Sequence, residues 1–78
     1  MRYSDSKLFI VEIGKRIKIL RKKLNLTQFD LAVRADLEEN AIQRIETGRV
    51  NSTLKTLLKI SNALDVEFYE LFYFSQDE

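Results

Sequence analysis

The stretch "ADLEENAIQRIETG", residues 35–48, sets Asn40, Gln43 and Arg44 three and four positions apart, the spacing that lines side chains along one side of a helix. Two amides and a guanidinium offer hydrogen-bond donors and acceptors but no group that titrates near neutral pH. Such a set suits recognition rather than acid–base chemistry. The chain contains no cysteine and no histidine, so it has no disulfide framework and no thiolate metal site, and catalytic dyads and zinc centres are nearly excluded. The residue types call for no cofactor, no metal and no small-molecule ligand. The expected chemistry is binding, and the protein is not expected to be an enzyme.

The elements that position these side chains are legible from periodicity. Between Lys7 and Leu24 the apolar residues Ile10, Ile13, Ile17, Leu20 and Leu24 recur at helical steps. A second helix starts in "NLTQFDLAVRA", with Thr27 as N-cap, Asp30 at the capping-box position, and Leu31 and Ala32 pointing inward. A third follows "DLEE", buries Ile42 and Ile45, and ends at Gly48 in the left-handed conformation. Ser52 or Thr53 caps a fourth, on which Leu54, Leu57, Leu58, Ser61 and Leu64 share a face. "EFYELFYF" makes a fifth and holds five of the eight aromatic residues. With no proline, no strand-like alternation, no repeat and no linker, the chain reads as a single all-α domain over 1–78, a compact five-helix fold.

A chain of 78 residues buries only about 60% of its unfolded surface, so its core is marginal and a partner would help. The net charge of +1 conceals an asymmetry: residues 1–23 carry eight Lys/Arg against two acids, and residues 65–78 carry five acids and no base. A basic end suits a polyanion and an acidic end repels one. The same "KRIKILRKK" pattern is also that of an ordinary solvated helix face. No apolar run approaches membrane-spanning length and no export leader is evident, so no membrane partner is expected and the default location is cytoplasmic.

A helix over 27–34, a tight connection around Ala35–Glu38 and a helix over 39–47 have the lengths and inward apolar positions of a helix-turn-helix, residues 27–47. The second helix of that motif lies in the major groove of DNA. The chain also resembles the Cro/C1-type, lambda-repressor-like helix-turn-helix family over roughly residues 13–72. The resemblance rests on Leu20-Arg21, "LTQ" at 26–28, "LA" at 31–32, Ile42, then Ile45, Glu46 and Gly48, and "L-TLLKI--AL-V" from Leu54 to Val66. Within the family, the size and the aromatic C-terminal segment look most like the small controller proteins of restriction-modification systems.

The resemblance implies a role for each matching position. Thr27, Gln28, Arg49 and Asn51 fall where the family holds the DNA backbone. Glu39, Asn40, Gln43 and Arg44 fall on its groove-facing positions, with Arg44 suited to guanine O6 and N7 and Asn40 to adenine. For Arg44 the alternative is a surface pair with Glu46 or a phosphate contact. Two features depart from the family pattern. Glu38 and Glu39 bring carboxylates toward DNA, either because Glu39 accepts from cytosine N4 or because both acids favour the positive end of the helix dipole. Asp36 replaces the usual turn glycine; it either takes the left-handed conformation or caps the third helix one turn early, which would rotate the groove-facing set.

The implied function is a sequence-specific transcriptional regulator that binds double-stranded DNA as a homodimer on a near-palindromic site. Tyr69, Tyr73 and Phe74 are its expected dimer contacts. They belong to an aromatic segment which, at helical pitch, spreads over a wider arc than one core can cover. The alternative is an antitoxin-type protein of the same fold that binds a protein toxin and represses its own operon.

Overall fold

Helix α1 (Ser6–Lys23) begins where the Asp5 side chain accepts from the Lys7 N–H at 2.9 Å. It is followed by α2 (Gln28–Ala35), α3 (Glu39–Glu46), α4 (Leu54–Ala63) and a 3₁₀ helix (Phe68–Phe72) in the computed structural model, which describes residues 5–74. No strand occurs among the described residues. At its start, α2 carries the expected capping box: Thr27 Oγ1 accepts from the Asp30 N–H at 2.9 Å and Asp30 accepts from the Thr27 N–H at 3.0 Å. Of the two candidate caps for α4, Thr53 takes the role, accepting from the Thr56 N–H at 3.1 Å.

All four α-helices end alike, on a residue with positive φ: Asn25 at 57°, Asp36 at 57°, Gly48 at 73° and Asp65 at 58°. In each case the next N–H reaches back five residues to a carbonyl of the last helical turn, as Leu26 does to Arg21 and Arg49 to Arg44. Asn and Asp tolerate this conformation better than most side chains. Gly48 has a second reason to be glycine, because a Cβ there would stand 2.7 Å from Cγ2 of Val11.

The core is contributed by every element: Ile13, Ile17 and Leu20 from α1, Leu31, Ala32 and Ala35 from α2, Ile42 and Ile45 from α3, Leu57, Ile60 and Leu64 from α4 and its end, and Leu71 from the 3₁₀ helix. Two expectations need correction. Leu24 lies past the last turn of α1 and is exposed. On α4 the inward line is Leu57, Ile60, Ser61 and Leu64, while Leu54 and Leu58 face solvent at 72% and 50% exposure. That helix carries apolar residues on more than one side, and its packing on α2 and the 3₁₀ helix selects the side that turns inward.

The fifth helix is also corrected, from an α-helix over 67–74 to the five-residue 3₁₀ helix. The Glu70 carbonyl accepts from Arg16 Nε at 2.8 Å and more weakly from the Tyr73 N–H at 3.4 Å, so α1 occupies an acceptor that an α-helix would use internally. Aromatic residues also favour helix less than straight-chain ones do. In this tighter form side chains i and i+3 eclipse, so the arc expected at α-helical pitch does not apply.

Candidate nucleic-acid interface

The turn between α2 and α3 runs through Asp36, Leu37 and Glu38. Because Asp36 takes the left-handed conformation, α3 starts at Glu39 with Glu38 as its extended N-cap, and no early cap by Asp36 rotates the helix. The Glu38 side chain makes no capping hydrogen bond. With Ile42 and Ile45 turned into the core, Glu39, Asn40, Gln43 and Arg44 are all exposed on the opposite side.

This helix is seated by contacts that local pattern does not reveal. Gly14 of α1 lies directly against the end of α3, where any Cβ would collide with the carbonyl oxygen of Ile45. Beside it, the buried Arg21 guanidinium donates to Glu46 Oε2 at 2.6 Å and Oε1 at 3.0 Å, and to the Leu26 carbonyl at 2.7 Å. Glu46 Oε1 also accepts from Gln28 Nε2 at 3.0 Å. One carboxylate thus joins α1, the first residue of α2 and the last residue of α3. Glu46 pairs with Arg21, so the Arg44–Glu46 pair considered from sequence is replaced. Arg44 has no ion pair among the described residues. Gln28 keeps its second amide hydrogen, and it sits at the N-terminus of α2, where free backbone N–H groups favour anions.

Asn40, Gln43 and Arg44 come together with Thr47 and Arg49 around an open depression of about 460 Å³. Arg44 also lines an adjoining depression with Asn51, Ser52, Thr53 and Thr56. The exposed side of α3 and the loop after it are therefore continuous, polar around Asn40, Gln43, Arg44, Thr47 and Arg49 and more apolar where Leu37, Ala41 and Val50 line the second depression. Glu39 lies exposed at the start of α3 and lines neither depression. Thr27 is exposed at the end of α2 that Gln28 and Glu46 tie to α3. Thr47 was absent from the sequence expectations, although its spacing of three from Arg44 and seven from Asn40 marks it as part of the same stripe.

The basic stretch of α1 divides in two. Arg16 and Arg21 are structural, holding Glu70 and Glu46, whereas Lys18, Lys22 and Lys23 are exposed and Lys15 pairs with Glu12 at 3.5 Å. Asp30 is held below the ordinary carboxylate value, chiefly by the Thr27 backbone N–H and then by the Thr27 side chain. Among the described residues no His, Cys, Asp or Glu group is arranged to hold a metal ion, and no helix is long and apolar enough to cross a membrane.

Of the three residues expected at a dimer contact, Tyr69 and Tyr73 are exposed, each at 57%, and their ring centroids lie 5.6 Å apart. Phe74 differs: it is half-buried against the chain's own core and meets Phe9 edge-on at 5.6 Å.

The chain is similar to known proteins in sequence and in fold. A sequence profile described as helix-turn-helix matches residues 17–71. The immunity repressor protein of Bacillus phage phi105 is 40% identical over 55 residues, which is 70% of this chain and 38% of that protein. The control protein C.MunI of Mycoplasma sp is 38% identical over 63 residues, 80% of this chain and 85% of it. The crystal structure of the restriction-modification controller protein C.AhdI from Aeromonas hydrophila superposes with a TM-score of 0.80 at 36% identity, covering 81% of this chain and 96% of that one.

Proposed function

The chain belongs to the helix-turn-helix family of DNA-binding transcriptional regulators, and we propose that it acts as a homodimer reading a near-palindromic operator in the manner of a restriction-modification controller protein. The observation that carries this reading is the polar stripe of α3. Asn40, Gln43 and Arg44 stand exposed around one depression, Arg44 with no ion pair among the described residues, on a helix fixed from behind by Arg21, Glu46 and Gly14. Side chains that are both exposed and rigidly carried can read base edges, because their geometry is set before DNA arrives.

In this reading Arg44 takes guanine and Asn40 adenine, while Gln43 and Glu39 contact neighbouring base edges. Thr27, Gln28, Arg49 and Asn51 hold phosphates on either side, and Lys18, Lys22 and Lys23 add to the field that attracts the duplex. Tyr69 and Tyr73 form the two-fold contact, each burying its ring and keeping a hydroxyl for hydrogen bonding. Such a dimer places two α3 helices about 34 Å apart, one turn of DNA. The test is selection of duplexes from a random pool by the purified protein, paired with sedimentation. Inverted repeats and a dimer are expected. Tyr69→Asp with Tyr73→Asp should yield a folded monomer that binds poorly, and a wild-type monomer or an unchanged double mutant would remove this interface.

One observation favours the second reading, an antitoxin-type protein. Phe29 and Val33, one turn apart on α2, are exposed at 57% and 63% and serve no role in the DNA contact described above. A toxin-like partner co-purifying from the native host, and lost on Phe29→Ser with Val33→Ser, would support that reading.

A further inference from the structure

Thr47 ends α3 with its hydroxyl already engaged. Its Oγ1 donates to the Gln43 carbonyl oxygen at 2.9 Å and lies 3.3 Å from that of Arg44. The residue is nonetheless exposed and lines the depression shared by Asn40, Gln43, Arg44 and Arg49. From Asn40 to Thr47 the stripe runs about 10 Å at 1.5 Å per residue, which fits within a major groove about 12 Å wide.

A phosphate oxygen accepts hydrogen bonds and donates none. A threonine whose one hydroxyl hydrogen points back to its own helix can therefore hold a phosphate only by giving up that bond. The lone pairs left on Oγ1 can only accept, and beside them the side chain carries one apolar group, its methyl Cγ2. The one apolar group on a base edge in the major groove is the C5-methyl of thymine. We infer that Thr47 is a specificity-determining residue, whose methyl packs on a thymine methyl where the C-terminal end of α3 meets each half-site. The inference rests on the proposed base readout by α3 and extends it by one helical turn.

The experiment uses the full chain and the duplex it selects, with deoxyuridine replacing each thymine in turn. Uracil lacks only the methyl. Wild type should lose about fourfold in affinity per half-site at one position, the size expected when one methyl-sized group is no longer removed from water. Thr47→Ser, which keeps the hydroxyl, should bind thymine and uracil duplexes equally and lose the thymine preference on reselection. Thr47→Val, which keeps the methyl, should retain both. A wild type indifferent to uracil everywhere, a serine variant that still discriminates, or a valine variant that does not would each overturn the role of Thr47 alone. Selection that yields no preferred sequence at all would overturn base readout by α3, and this inference with it.

Discussion

Arg21 and Glu46, twenty-five residues apart in sequence, face each other as a buried bidentate pair with hydrogen bonds of 2.6 and 3.0 Å. The pair fixes how α3 projects from the rest of the fold, because the same carboxylate also binds Gln28 and the same guanidinium binds the Leu26 carbonyl. Removing one member of such a pair strands the other charge away from water. Glu46→Ala should therefore cost on the order of 3–5 kcal/mol, read from urea unfolding, whereas Arg21→Met combined with Glu46→Leu should recover much of that loss. A single variant as stable as wild type would show that the pair is not holding the fold.

Gly14 makes a separate demand, that α1 and the end of α3 approach at backbone distance. Gly14→Ala adds a methyl with no room to receive it and should destabilise by about 1–3 kcal/mol despite the better helix propensity of alanine. An increase in melting temperature would mean that the helices separate without cost.

At the other end of α3, Glu38 caps without a side-chain hydrogen bond. Serine at this position accepts from the helix N–H groups, so Glu38→Ser should raise stability by about 0.5–1 kcal/mol. It also removes a carboxylate from the surface proposed to face DNA, so affinity should rise for all sequences alike. Filter binding on selected and scrambled duplexes checks the second part; a change in base preference would instead assign Glu38 a direct contact.

The capping box of α2 carries a pH dependence of known sign. Asp30 has its folded value lowered below the ordinary 3.8, mainly by the Thr27 N–H, so its ionised form is favoured in the folded chain. That stabilisation is present above the unfolded value and is lost as pH falls through the folded one. Asp30→Asn should accordingly show a shallower loss of stability on acidification below about pH 4 than wild type. Parallel curves for the two proteins would rule out this contribution.

On DNA, Arg44 and Gln28 should behave differently. Arg44→Ala should cost roughly 1–3 kcal/mol and relax preference at one base pair per half-site, while Gln28→Ala should weaken all sequences equally. Wild-type affinity should fall steeply with salt, at a log–log slope of about −5 to −9 if a dimer neutralises 6–10 phosphates. Equal, sequence-blind losses from both variants would reduce Arg44 to a backbone contact.

Local spacing is enough for whatever depends on neighbours within one or two helical turns. The cap at Thr27, the stop at Gly48, the inward Ile42 and Ile45, and hence the outward Asn40, Gln43 and Arg44 are legible, and the cap of α4 is narrowed to Ser52 or Thr53, because a cap or a helical face is defined by side chains a few positions apart. Helix lengths and inward positions also suggest the helix-turn-helix over 27–47, and the family pattern adds the roles of its exposed residues. Tertiary structure alone decided the remainder. It chose Ile60 over Leu54 and Leu58 for the core, tightened the aromatic segment into a 3₁₀ helix by occupying the Glu70 carbonyl, and buried Arg21 from among 13 basic residues and Glu46 from among 12 acidic ones. Each of these outcomes is a contact between elements far apart in the chain. Burial of a charged side chain is favourable only where such a contact supplies its partner, and local spacing carries no record of that partner.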